Sequence, residues 1–200
     1  MQGGVGWGHD DLSLNYLGYG VPLATNNLHG PFGGVHLGYN IARGNLVFGV
    51  EGDFEFAGVQ GILTASDPVN LPGYSASTTT SIGLQGSARL RAGITPTSGM
   101  LLYVTGGLAV ADVKDSYSVT LPAGNVIGVP AGRYSQGFSG ARWGYTVGGG
   151  VEQEVLRNLT ARIEYRYTDF GSYQNTFVSG LAAGQKIAEQ AVRVGASTKF

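Results

Sequence analysis

The stretch Leu46-Val-Phe-Gly-Val-Glu-Gly-Asp-Phe-Glu-Phe56 sets Glu51, Asp53 and Glu55 two residues apart, interleaved with Val50, Gly52, Phe54 and Phe56. Successive side chains of a strand point to opposite faces, so one face carries three carboxylates and the other a row of apolar groups. Like charges stacked in this way repel, and a fold that tolerates them must bring cations opposite them. The same period of two recurs along the chain and marks eight segments, at about 2–9, 33–40, 45–57, 81–94, 100–112, 142–154, 158–170 and 191–200.

The polar faces of these segments collect Glu51, Asp53, Glu55, Glu152, Glu154 and Glu164 against Arg89, Arg91, Arg162, Arg166, Arg193 and Lys199. Acids and bases balance, while the apolar faces carry almost no charge. Eight strands close into a barrel whose interior is just wide enough for side chains to fill. With the polar faces inward, the carboxylates and guanidiniums form one lumen ion-pair network, for which arginine's planar fork is suited. A tight turn between the sixth and seventh segments sets Glu152 opposite Arg162, and Gly150 and Gly148 opposite Glu164 and Arg166. The small residues then leave room for the long ones.

The outward face must meet hydrocarbon. Its aromatics gather near the predicted strand ends: Phe54, Phe56, Trp143, Tyr145, Tyr165 and Tyr167 toward one end, Tyr39 and Phe200 toward the other. Two such belts match the girdles at the interfaces of a membrane barrel. The connections differ in the same sense. IARG, TPTSG and LRN are tight turns, whereas 10–32, 58–80, 113–141 and 171–190 hold most of the Ser, Asn, Gly and Pro and read as irregular. Short turns inside and long loops outside are the pattern of outer-membrane barrels. The expected fold is therefore all-β: one domain over 1–200, an eight-stranded antiparallel up-and-down transmembrane barrel with four long outer loops and three short periplasmic turns.

Alternation alone is symmetrical. A soluble lipocalin-like barrel would turn the apolar face around a ligand and the charges to water. The girdles, the unequal connections and a charged fraction of 12%, against about 25% in ordinary globular chains, favour the membrane. A narrow channel for ions or small polar solutes is the rival reading of the same lumen, and the soluble barrel is the second.

Other features are less specific. The net charge of −1 gives no electrostatic reason for a nucleic-acid partner, and the absence of cysteine excludes disulfides and thiolate metal sites. The longest apolar run, Met100–Ala111, has 12 residues with two glycines inside it, too short for a transmembrane helix of about 20. Met1 leads at once into QGGVGWG without a basic or apolar leader, which reads as a mature or trimmed form. His9, His29 and His36 lack metal-ligand spacing, and Gly148-Gly-Gly150 lacks the Lys-Ser/Thr of a phosphate loop. The triplet Asn158-Leu-Thr160 spans a turn. No catalytic, cofactor or metal site is expected.

GGVHLGYN, LVFGVEGDFEFAG, GSARLRAGI, LLYVTGGLAVADV, WGYTVGGGVEQEV, LTARIEYRYTDFG and the ending AVRVGASTKF, in that order over about 33–200, resemble the small outer-membrane β-barrel family of alphaproteobacterial surface antigens, often called porin family. The resemblance implies an eight-stranded barrel in the outer membrane of a Gram-negative cell, mainly structural and surface-exposed. It implies lipid and lipopolysaccharide as surroundings and the barrel-assembly machinery as a partner, with Phe200 as the terminal aromatic of its assembly signal. Other outer-membrane proteins or peptidoglycan are further partners, and some members are reported to bind haem. This chain departs from the pattern at its start, where GGVGWG stands as the remnant of a shortened first strand.

Overall fold

In the computed structural model the chain forms eight strands: β1 (Gln2–Tyr16), β2 (Tyr19–Arg43), β3 (Leu46–Ser66), β4 (Ser75–Ile94), β5 (Met100–Leu121), β6 (Gly132–Leu156), β7 (Leu159–Val178) and β8 (Leu181–Thr198). The structure describes residues 1–16, 19–66, 73, 75–123, 131–178 and 181–198. Every strand pairs antiparallel with its neighbours in sequence, and β1 pairs with β8 from Gln2↔Gly195 to Tyr16↔Leu181, which closes the barrel. The first strand runs for 15 residues and is paired on both sides.

The alternation sorts as the membrane requires. Leu37 is 77% exposed and Leu90 70%, whereas Arg89 and Arg162 are 3% and 2% exposed. The apolar face is the outer wall and the charges line the inside. This orientation excludes the soluble barrel with an apolar lining.

Two of the tight turns rest on left-handed backbone. Gly44 (φ 60°) turns β2 into β3, and Asn158 (φ 66°) turns β6 into β7. Asparagine is among the few side chains that tolerate this conformation, so the sequence triplet at Asn158 is turn chemistry.

The expected long loops are mostly strand. Ser75–Ser81, which reads as irregular, pairs with Gln60–Ser66 on one side and Lys114–Thr120 on the other. At 25 residues, β2 and β6 have more than twice the ~9–11 residues that cross the hydrocarbon at a ~45° tilt, so the barrel continues beyond the bilayer. There the outer face meets water, as the exposed Thr25, Asn27, His29, Gln60 and Lys114 show. Without lipid on one side the polar–apolar alternation disappears, and with it the sequence signal for a strand.

A β-bulge between Ile82 and Gln85 marks the change of regime on β4. Gln85, Arg89 and Arg91 point inward on odd numbers, while Ile82 and Thr80 point inward on even ones and are 1% and 0% exposed. Ile82, which unbroken alternation through Leu84 and Leu90 would put on the outer face, is thereby turned into the lumen by the extra residue. It joins Leu28, Val59, Ala109, Ala111, Val113, Phe170 and Ile187 in a buried apolar cluster inside the barrel.

Candidate functional site: the filled lumen

Below the apolar cluster, toward the short turns, the lumen holds a continuous ion-pair network. The β3–β4 register sets Glu51 directly opposite Arg89, and their side chains are in contact. Arg89 also reaches Asp53 (3.0 Å) and Glu164 (2.8 Å). Arg166 closes the loop with Asp53 and Glu164, each at 2.9 Å. Arg162 binds Glu51 (3.0 Å) and lies 3.6 Å from Glu164. Arg193 pairs with Glu55. These side chains are 0–3% exposed. Each acid faces more than one cation or donor, which is what lets ionised groups persist away from water.

The β6–β7 register places Glu152 opposite Arg162, Gly150 opposite Glu164 and Gly148 opposite Arg166, as the tight turn implied. The partner of Glu152 is nonetheless Arg91, across the lumen at 2.8 Å, because Arg162 turns toward Glu51 instead. Gly150 is required by close approach. A Cβ there would stand 2.6 Å from the Tyr103 hydroxyl oxygen and 2.4 Å from the Ile163 carbonyl oxygen. Gly107 likewise leaves the Arg89 backbone room, since a Cβ would lie 2.1 Å from the Ala88 carbonyl oxygen.

Two expected members fall elsewhere. Glu154 points the same way by parity but is exposed at the turn end, beside the bulge between Glu154 and Leu156, and is not in the buried network. Lys199 and Phe200 lie outside the described residues. Several participants escaped the sequence reading. Tyr103 donates to Glu164 (3.0 Å) and lies under the Arg91 guanidinium at 3.7 Å from its ring centre. Gln2 accepts from Arg162 (2.6 Å), Gln85 donates to Glu55 (3.2 Å) and Ser87 donates to Asp53 (2.7 Å). Phe32 lies under Arg193 at 4.4 Å. Parity would have found Tyr103, which sits opposite in phase to Leu102 and Val104. Glu189, 2% exposed, lies just before the eighth segment as delimited from sequence.

Outside, Phe54 and Phe56 meet edge to face at 5.6 Å, and Tyr145 and Tyr167 lie 6.4 Å apart. Trp143, Tyr165 and Tyr39 are exposed on the same wall. Trp7, 6.5 Å from Tyr165, and Phe48, 55% exposed, extend the two belts and were not anticipated.

A cavity of about 10 Å³ lies between Asp53, Glu55, Gln85, Arg166, Arg193 and Phe170, at the lower limit of room for one water. Among the described residues no three carboxylate, imidazole or thiol groups converge on a metal-binding arrangement.

The family model of the outer membrane protein beta-barrel domain matches residues 1–200. The chain belongs to this family. This outer-membrane barrel is 36% identical over 170 residues to a 22 kDa outer membrane protein of Rhizobium leguminosarum bv. viciae, covering 84% of this chain and 66% of that one. It is 32% identical over 169 residues to a 31 kDa outer-membrane immunogenic protein of Brucella melitensis, covering 84% and 65%. The chain thus spans about two thirds of the length of these curated relatives. Among solved structures it is similar to Ail, the attachment invasion locus protein of Yersinia pestis, at 14% identity and a TM-score of 0.36, covering 96% of this chain and 97% of that one. The protein is an outer-membrane β-barrel, with the hydrocarbon against its apolar wall.

Proposed function

We propose that this outer-membrane barrel is a closed structural element of the envelope that carries its outer end to the cell surface, and that it neither conducts nor catalyses. The observation that carries this reading is the lining of the lumen: a buried network of guanidiniums and carboxylates, capped by an apolar cluster, with a cavity of about 10 Å³ beside Asp53, Glu55 and Arg166. A wet path needs polar walls and continuous room for water, and the cluster around Leu28, Val59 and Phe170 offers neither. The network fixes strand register and holds the wall shut. The strands beyond the bilayer lift the connections away from the lipid and into lipopolysaccharide. The immunogenic naming of the Brucella relative supports surface exposure. The barrel-assembly machinery is the assembly partner of this reading, with neighbouring outer-membrane proteins or peptidoglycan beside it.

Planar-bilayer recording of the refolded full chain tests the reading. Silent membranes are expected at protein concentrations where a true porin gives steps. Stable, reproducible openings would overturn it and make the lumen a narrow channel.

A further inference from the structure

Beyond the apolar cluster, away from the short turns, the lumen becomes polar again. Asp10 on β1, Asn26 on β2, Thr80 on β4, Asp115 on β5 and Gln185 on β8 are each 2% exposed or less. Thr80 donates to Asp10 Oδ2 at 2.9 Å. The Gln185 amide nitrogen lies 2.7 Å from Asp10 Oδ2, 3.1 Å from Asp115 Oδ1 and 3.4 Å from Thr80 Oγ. Asn26 faces Asp10 across the β1–β2 ladder, and Thr80 faces Asp115 across β4–β5. Two carboxylates therefore share one neutral amide. Among the described residues no basic side chain comes within ion-pair distance of either, in contrast to every carboxylate of the Arg89 network.

The cluster is also unsatisfied. Asp10 Oδ1, Asp115 Oδ2, Gln185 Oε1 and Asn26 Nδ2 are all buried without a hydrogen-bond partner. One amide cannot neutralise two buried charges, and a buried carboxylate without a counter-charge is among the costliest arrangements a fold can contain. The nitrogen and oxygen of an amide are assigned from their surroundings. Turning the Gln185 amide over would aim Oε1 at both carboxylates, an arrangement that a cation among the three oxygens would stabilise. The same reversal at Asn26 would supply a further oxygen.

We infer that these residues form a binding site for a single hard cation, calcium, held by side-chain oxygens of Asp10, Asp115, Thr80 and Gln185, with Asn26 in reach. The donors are oxygens only, which disfavours zinc and copper. Two carboxylates match a divalent charge. The 2.9 Å between Thr80 Oγ and Asp10 Oδ2 is the spacing expected of two ligands on one ion with bonds of about 2.4 Å. Calcium is favoured over magnesium because the site is buried and irregular, and magnesium keeps its waters and demands near-octahedral geometry. With two carboxylates only, affinity belongs in the range of extracellular modules, about 10⁻⁴–10⁻³ M. The ligands tie both closing strands, β1 and β8, to β4 and β5, so the ion would fasten the end of the barrel that stands outside the bilayer.

Full-length protein refolded into detergent, free of lipopolysaccharide whose phosphates bind calcium themselves, is stripped with chelator and titrated with calcium by equilibrium dialysis. One ion per chain is expected, kept by the exposed-site control Asp11→Asn and lost in Asp10→Asn and in Asp115→Asn. Millimolar calcium should raise the midpoint of thermal unfolding by about 2–5 °C in the wild type, with a smaller rise for magnesium and none in either Asn variant. Gln185→Glu adds a third carboxylate without removing a ligand side chain and should tighten calcium binding roughly tenfold. The inference is overturned if the wild type binds no more calcium than the Asn variants, or if folded Gln185→Glu binds no tighter. It is equally overturned if the Asn variants gain stability while calcium does nothing, since the two carboxylates then share a proton.

Discussion

The two halves of this lumen solve the same problem with opposite means. At membrane depth the interior is ionic, with Arg89, Arg162 and Arg166 each bridging at least two carboxylates. Just past the bulge at Ile82–Gln85 it is apolar, filled by Leu28, Val59, Ile82, Phe170 and Ile187, up to the cluster around Asp10 and Asp115. The difference follows from what lies outside the wall. A strand facing hydrocarbon must spend its outward positions on apolar groups, so inward positions carry the polar residues. A strand facing water on its outside is free to bury apolar groups in the ordinary way. One chain therefore contains an inside-out barrel joined end to end with a conventional one.

The contrast breaks most severely where a shared cation is removed. Arg89→Ala leaves Glu51, Asp53 and Glu164 with an unfilled gap between them, and a loss of about 3–5 kcal/mol is expected in urea unfolding from lipid vesicles. In the apolar half, Leu28→Ala should cost about 2–5 kcal/mol from the cavity alone and should be insensitive to salt and pH. If Arg89→Ala costs less than Leu28→Ala, the ionic half does not depend on its pairing.

The outer wall offers the second comparison. Leu90 and Gln60 are both exposed, but one faces hydrocarbon and the other lies beyond the aromatic belt. Leu90→Arg should destabilise by about 2–4 kcal/mol, whereas Gln60→Arg should change stability by about 1 kcal/mol at most. Equal costs at both positions would show that the bilayer edge does not fall between them.

This division also explains what could be read from the sequence. Glu51, Asp53 and Glu55 were legible as lumen residues because lipid on one side forces strict alternation, and Arg89 opposite Glu51 follows from a hairpin with a short turn. The strand 75–81 was not legible, because Ser, Thr and Ala there face water or the lumen without a hydrophobic pattern to separate them. Ile82 faces opposite to what unbroken alternation implies, because a bulge shifts parity by one and leaves no local mark in composition. The choice of Arg91 as the partner of Glu152 depends on distance across the barrel, which strand pairing cannot supply. The cluster of Asp10, Asn26, Thr80, Asp115 and Gln185 draws on five strands, and none of its members stands out on its own strand.

The Arg91–Glu152 pair separates charge burial from pairing within the ionic half. Its side chains are 4% and 10% exposed, so truncating one strands the other in a poorly hydrated lumen. Arg91→Ala alone should therefore cost about 3 kcal/mol, with the Tyr103 ring also losing its cation. Arg91→Met combined with Glu152→Gln removes both charges while keeping their volume, and should cost under about 1.5 kcal/mol. A double-mutant cycle on vesicle-inserted protein then gives a large coupling term.

The smallest effect belongs to Lys186 and Asp169, which meet at 3.9 Å on the outer end of the barrel with the lysine 52% exposed. Water screens such a pair, and holding the lysine in one rotamer offsets much of the Coulomb gain. Lys186→Ala should change unfolding free energy by under about 1 kcal/mol, and the difference should vanish in high salt. The same two charge types, buried around Arg89, carry several times that value. Their worth is set by the water they exclude, and a salt-insensitive loss at Lys186 would contradict that account.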